Sequence, residues 1–162
     1  MGIMTARIDV RLLHGIVATQ WVPKYRPQRL MIIDDSIASD PAKKAAMRMA
    51  KPADVALSII TRETAYANYQ AGKYDGHTVF VVARSPQTIL DLQELGQAVP
   101  ELIVGATLAP DAGVPATQVS KRAYVRDDEA SVYQKIAANG CAISVQYVPT
   151  DKAEPLSKYV SL

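Results

Sequence analysis

The 162-residue sequence predicts an α/β fold: a single three-layer domain spanning residues 1–162, with a mostly parallel central sheet and helices on both faces. Three observations predict it. Short apolar runs of strand length alternate along the whole chain with segments of helical pattern. Several runs, such as Leu30-Met31-Ile32-Ile33, are apolar at successive positions, which suits strands covered on both faces. Helix starts are marked by a capping residue followed by proline, at Asp40-Pro41 and Ser85-Pro86.

The elements follow in order. Ile3 to Ile8 is the first strand. Gly15 to Val22 reads as a helix stopped near Pro23, whose missing N–H ends the ladder. Arg29 to Ile33 is the second strand. A helix capped by Asp40 runs through Met47 and Met49 toward Pro52. Val55 to Ile60 is the third strand, and Thr61 opens a helix that ends by Gly72. Thr78 to Ala83 is the clearest strand, and a helix capped by Ser85 follows it to Leu95. Leu102 to Val104 is a short fifth strand. Gly105 to Ala116, with Pro110, Gly113 and Pro115, is a looser stretch, followed by extended pieces around Gln118 to Val125. A long helix is expected over Asp127 to Ala138, with Gly140 just past its end. Ala142 to Val148 closes as a strand, and a short helix is expected near Leu156 to Tyr159.

Composition excludes several function classes. The hydrophobic fraction is 49% and the net charge +2, too little for a dedicated nucleic-acid surface but enough for a mildly basic docking face. One cysteine and two histidines give neither a disulfide nor a zinc framework, so no metal and no other cofactor is expected. The N-terminus lacks the layout of a signal peptide and no run approaches a membrane span, so a cytoplasmic setting is expected. There is no GxxxxGK[ST] loop, no GxGxxG after the first strand, no GxSxG elbow and no HExxH.

In a parallel sheet, chemistry collects where the strands end at their carboxyl termini. The loops at Asp9–Gly15, Asp34–Ser36, Arg84–Ser85 and Gly105–Thr107 should all open on that edge. His14 is the candidate among them. Neutral imidazole is a good nucleophile at physiological pH, and Arg11 offers a planar fork for phosphate. Position alone leaves His14 equally readable as a satisfied structural histidine; Asp9, Arg11 and Gly15 turn the reading toward function. Asp9 serves either to fix the ring tautomer or, more plainly, as the ion-pair partner of Arg7 or Arg11. Gly15 either lets the backbone approach an anion or merely starts a helix. Asp35 reads as an anchor or helix cap, Arg84 as a second phosphate or partner contact, and His77 as a turn residue.

The run Arg7-Ile8-Asp9-x-Arg11-Leu12-Leu13-His14-Gly15-x-Val17-x-Thr19-x-Trp21 strongly resembles the N-terminus of the enzyme IIB component of the bacterial sugar phosphotransferase system, mannose/fructose/sorbose class. Ile32 to Asp40, Val81 to Thr88, Thr117-Gln118-Val119, Tyr124 to Asp128 and Val148 to Asp151 resemble later landmarks of that family in order. The resemblance implies a phosphocarrier. It would accept a phosphoryl group from a IIA protein on Nδ1 of His14 and pass it to a sugar bound by the membrane components IIC and IID. The catalytic set would be His14, Arg11 and Asp9, with Gly15 and Arg11 holding the phosphate and Asp35, Arg84 and Gly105 candidates for the rim. Lys24 and Arg26 extend that rim as a basic docking face. Such a protein would associate peripherally with a membrane permease, and a homodimer is compatible with the sequence. Two partners must reach the ring in turn, so His14 is expected at the solvent-facing mouth of the sheet beside the Arg11 guanidinium.

The sequence departs from the family pattern at Val10, at Ile16 (where glutamine is usual), at Gly105-Ala106-Thr107 and at Pro115-Ala116-Thr117. These departures support an alternative reading: a degenerate IIB-like regulatory or interaction module that senses phosphorylation. A histidine phosphatase is disfavoured because Leu13, not arginine, precedes His14-Gly15. The resemblance leaves the sugar open among mannose, fructose, sorbose, galactosamine and N-acetylgalactosamine.

Overall fold

The computed structural model describes residues 2–162. Nine strands form: β1 (Ile3–Asp9), β2 (Arg29–Ile33), β3 (Ala56–Ile60), β4 (Val79–Ala83), β5 (Glu101–Ala106), β6 (Ala116–Ser120), β7 (Ala123–Arg126), β8 (Ala142–Val145) and β9 (Glu154–Pro155). Seven of them make one sheet in the order β3-β2-β4-β1-β5-β8-β9, parallel except for the edge strand β9. β6 and β7 pair as a separate antiparallel ribbon, which is what the extended pieces around Gln118 to Val125 become. The helices are α1 (Val22–Tyr25), α2 (Asp35–Ala38), α3 (Pro41–Arg48), α4 (Arg62–Gln70), α5 (Pro86–Glu94) and α6 (Ala130–Ala138). No helix among the described residues is long and apolar enough to cross a membrane.

Strand alternation builds two cores. Leu30 and Ile32 of β2, with Phe80 and Val82 of β4, face one side, where Trp21, Val22 and Ile37 cover them. Met31 and Ile33, with Val79 and Val81, face the other, where Ala65 and Tyr69 of α4, Ile89 of α5 and Tyr133 and Ile136 of α6 cover them. This is the expected three-layer arrangement, and it explains the continuous apolar runs: β1, β2, β4 and β5 are buried on both faces.

The order of the strands positions the site. From β1 the chain moves outward to β2 and β3, returns through β4 beside β1, then crosses to β5 and β8 on the far side. Connections leave the carboxyl ends of β1 and β4 in opposite directions, which opens a crevice between them. β1 is central, and Ala6 and Ile8 of its alternation enter the core shared with α5 and α6. Arg7 and Asp9 therefore point to the opposite face, both fully buried.

Several elements differ from expectation for identifiable reasons. The helix after His14 does not stop at Pro23. It passes through a π-helical turn, Val17–Trp21, in which Val22 N–H donates to the Val17 carbonyl, and continues as α1 to Tyr25. Pro23 stands in the first turn of the α-helical part, where its missing N–H costs least; Arg26 ends it with φ of 51°. The extra helix α2 is capped by Asp34, which accepts from Ile37 N–H at 3.0 Å. The expected long helix over Asp127 to Ala138 begins as a 3₁₀ turn at Asp127–Glu129 before α6 proper. Gly140 follows α6 with φ of +91°, the left-handed turn that glycine adopts freely. β8 ends at Val145, three residues earlier than expected, which frees the next two carbonyls for the site.

α3 buries no residue, so its cap is a large share of what holds it. Asp40 accepts from both Ala42 and Lys43 N–H at 3.1 Å. Asp40→Ala should cost about 1 kcal/mol locally. Hydrogen exchange should speed up in α3 while amides of the central strands keep their protection.

Candidate functional site

The site is built on the carboxyl end of β1. After Asp9 the chain turns back: Leu12 N–H donates to the Asp9 carbonyl at 3.0 Å, and Leu12 takes a left-handed conformation with φ of 60°. That conformation costs a non-glycine residue roughly 1–2 kcal/mol. The Leu12 side chain is fully buried against Val17 and Trp21 in one core, a contribution of about 1.5–3 kcal/mol. Burial thus offsets the strain and holds the turn closed.

Asp9 is the hub of this turn. Its Oδ2 accepts from Arg7 Nε at 3.1 Å and from His14 Nε2 at 3.0 Å, while its Oδ1 accepts from the backbone N–H of Arg11 at 2.9 Å. Burial alone would raise the Asp9 pKa, but the His14 hydrogen bond, the Arg7 charge and the Arg11 amide outweigh it and hold the carboxyl below its ordinary range. Asp9 is therefore ionised and can only accept. It follows that Nε2 of His14 carries the proton, and that in the neutral ring Nδ1 carries the lone pair.

Arg7 was absent from the expected catalytic set. Its guanidinium is fully buried, and burial is the main cause that lowers its pKa, with Asp9 opposing. Each of its terminal nitrogens donates to a backbone carbonyl, Nη1 to Gln146 at 3.0 Å and Nη2 to Tyr147 at 2.9 Å. It lies 4.9 Å from the centre of the Trp21 ring, and the Trp21 Nε1–H donates to the same Tyr147 carbonyl at 2.9 Å. The sequence signal was the alternation itself: a charged pair spaced two apart on a central strand must share one buried face.

The expectation of an exposed His14 is corrected. The residue is only 7% exposed, and Nδ1 is buried without a hydrogen-bond partner. The cause is the Asp9 contact, which draws the ring inward from the turn. Arg11 is exposed, and it meets Asp9 through its backbone amide; the ion pair of Asp9 is with Arg7 instead. Gly15 is exposed, and a Cβ added there would meet nothing within 4 Å, so open space lies over the start of the helix.

The other expected rim residues separate. Arg84 is exposed at the crevice: its Nε donates to the Val10 carbonyl at 2.8 Å and its Nη1 reaches Asp34 at 3.4 Å. It ties the β1 turn to the start of α2. Val10, Arg84, Ser85 and Thr107 line one depression of about 540 Å³, so the loops after β1, β4 and β5 do open together, and Asp34–Ser36 meets Arg84 in a smaller one beside it. Asp35 is not free to face a ligand. It accepts from the backbone and guanidinium of Arg62 at 2.8–3.0 Å, the anchoring role that sequence suggested. Gly105 is not on the rim but inside it, against Arg7: a Cβ there would lie 2.2 Å from the guanidinium carbon. His77 sits in a turn, its N–H bonded to the Tyr74 carbonyl at 3.0 Å. Among the described residues, no three His, Cys, Asp or Glu side chains cluster as metal ligands.

Two outcomes follow. Asp9 is held below its ordinary range, so its contribution to stability is complete above about pH 4 and fades as the pH falls through the depressed value. Asp9→Asn, which leaves Arg7 charged and buried without its partner, should cost about 3–5 kcal/mol at neutral pH. The gap in melting temperature from wild type should narrow below about pH 4; a gap constant down to pH 2 would contradict it. Gly105→Ala should likewise lower the melting temperature, because the added Cβ would occupy the space the guanidinium fills.

Relatives agree with this architecture. The sequence model of the family described as PTS system sorbose subfamily IIB component matches residues 3–162. The fructose-specific EIIB component of Bacillus subtilis (strain 168) is 24% identical, over 95% of this chain and 93% of that protein. The mannose-specific EIIAB component of Escherichia coli (strain K12) is 30% identical over 93% of this chain, which spans 46% of that longer protein. The crystal structure of the IIBSor domain of the sorbose permease from Klebsiella pneumoniae superposes with a TM-score of 0.87 at 25% identity, covering 98% of this chain and 95% of that one. The chain belongs to the sorbose subfamily of phosphotransferase-system IIB components, the proteins that act in sugar phosphotransfer.

Proposed function

We propose that this IIB component carries a phosphoryl group on Nδ1 of His14, receiving it from a phosphohistidine of a IIA protein and passing it to a sugar held by membrane IIC and IID components. The observation that carries the reading is the asymmetry of the ring: Nε2 is held by an ionised Asp9, and Nδ1 has no partner. As the Nδ1 lone pair bonds to phosphorus, the donor's N–P bond breaks and its electron pair returns to the donor nitrogen. The proton on Nε2 stays in place, so the phosphorylated ring is cationic and Asp9 stabilises it. The second transfer then expels a neutral imidazole, a better leaving group than its anion. Phosphoryl transfer asks mainly for positioning and charge stabilisation. Arg11, exposed and with its guanidinium unpartnered among the described residues, is placed in the turn to supply a cation to the phosphoryl oxygens.

Nδ1 has to reach a partner protein, so the turn from Val10 to Leu13 must open when IIA docks. The protein would work in the cytoplasm, at the face of its permease. The buried ring also favours a second reading, a regulatory or interaction module in which His14 stays closed.

Incubation with labelled phosphoenolpyruvate, the general phosphotransferase proteins and a cognate IIA separates the two. The expected result is acid-labile label on the wild type and none on His14→Gln. An unlabelled wild type would favour the regulatory reading. Arg11→Ala should leave stability within about 0.5 kcal/mol of wild type and slow phosphoryl acceptance on the order of a hundredfold; a large loss of thermal stability instead would make Arg11 structural. Gly15→Ala should also leave the fold unchanged, so any loss of transfer it causes reports contact with the phosphoryl group.

A further inference from the structure

A carboxylate beside an imidazole ordinarily favours the imidazolium. A buried Asp9 with no other counter-charge would satisfy itself by drawing a full positive charge onto His14, and a doubly protonated ring has no lone pair with which to attack phosphorus. The structure supplies a different counter-charge. Arg7 Nε and His14 Nε2 meet the same carboxylate oxygen, at 3.1 and 3.0 Å. The guanidinium is held in place: both of its terminal nitrogens donate to backbone carbonyls, Trp21 lies against it, and the missing Cβ at Gly105 leaves the space it fills.

We propose that Arg7 is a positioning residue for phosphoryl transfer: by neutralising Asp9 in advance, it keeps His14 a neutral ring with its proton on Nε2 and its lone pair on Nδ1. The claim rests on the reading of His14 as the phosphoryl acceptor. It assigns a task to a side chain that touches neither the ring nor the phosphoryl group. Arg7 moderates Asp9 without silencing it, so the carboxylate still accepts from Nε2 and still steadies the cationic ring once phosphorus is attached. The proton therefore stays on one nitrogen throughout, and transfer in either direction requires no proton movement.

The charged and titratable groups around the pair are few. Arg7 comes from β1, and Arg11 is in the turn with its amide on Asp9. Arg84 comes from the end of β4 on the Val10 carbonyl. Tyr147 lies past β8 with its ring centre 5.9 Å from the Arg7 guanidinium, and Lys24 lies 5.3 Å from the centre of the Trp21 ring. Of these, Arg7 is the one whose charged group bonds to the Asp9 carboxylate.

Ring NMR on protein with ¹⁵N-labelled histidine reads the effect directly. In the wild type at pH 7, His14 should be neutral with the proton on Nε2. In Arg7→Met the midpoint of its titration should rise by about one pH unit or more. In Arg7→Lys, which keeps the charge, it should stay nearer the wild-type value. The acid limb of the pH profile for phosphoryl acceptance should move up in Arg7→Met by a matching amount. A midpoint that falls or does not move in folded Arg7→Met, or that moves equally in Arg7→Lys, overturns the proposal. If Arg7→Met does not fold, Gly105→Ala displaces the guanidinium without removing its charge and should raise the midpoint by less; an unchanged midpoint overturns it. The wild type alone also decides: an imidazolium, or a proton on Nδ1, at pH 7 would sink it. The NMR readings need no phosphoryl donor. Should His14→Gln still take up label while the titrations behave as expected, the acceptor assignment fails and the control of the ring by Arg7 stands.

Discussion

A guanidinium and a carboxylate on one buried face of β1 meet an imidazole from the turn that follows, and much of the surrounding structure exists to make that burial tolerable. An ion taken from water into a protein interior costs several kcal/mol, even after relaxation. Arg7 and Asp9 are both fully buried. They persist because both charges are answered: Asp9 by a guanidinium, an imidazole and an amide, Arg7 by a carboxylate and two carbonyls, which leaves Nδ1 of His14 as the unpartnered atom of the group. The early end of β8, the orientation of Trp21 and the missing Cβ at Gly105 all serve that arrangement.

The same interactions close the turn that carries His14. Asp9 pulls the ring in from one side, and the buried Leu12 pins the chain from the other, at the cost of a left-handed backbone. Strain held by burial is a common property of sites that must move, because the two contributions are of similar size and a docking surface can tip the balance. Arg84 ties the turn to the opposite wall of the crevice through the Val10 carbonyl and Asp34. It is the one link between the β1 turn and α2 that a partner approaching the crevice would meet early, since it is more exposed than Arg7.

Most of the architecture was legible in the sequence because its signals are local. Apolar runs at successive positions announced the doubly covered strands, and Asp40-Pro41, Thr61 and Ser85-Pro86 announced helices that begin where expected, each cap bonded to the first turn. Misreadings fell where a local rule met a tertiary alternative. Pro23 ordinarily stops a helix, but a π turn shifts the register so that the proline falls in a first turn. Of the two adjacent acids, Asp34 is the helix cap and Asp35 the anchor; which was which depended on where Arg62 arrives, 27 residues later.

By itself the sequence determined most of the strand and helix order and marked the carboxyl edge of the sheet and His14 as the candidate site, since each follows from residue type and spacing along the chain. Only the tertiary structure decided that Arg7, not Arg11, is the ion-pair partner of Asp9, that Gly105 is there for a guanidinium, and that the ring is closed. The physical reason is that these facts depend on groups with no sequence signature. The carbonyls of Gln146 and Tyr147, 139 and 140 residues from Arg7, belong to a backbone that every residue carries, and only the folded sheet brings them to the one charge that needs them.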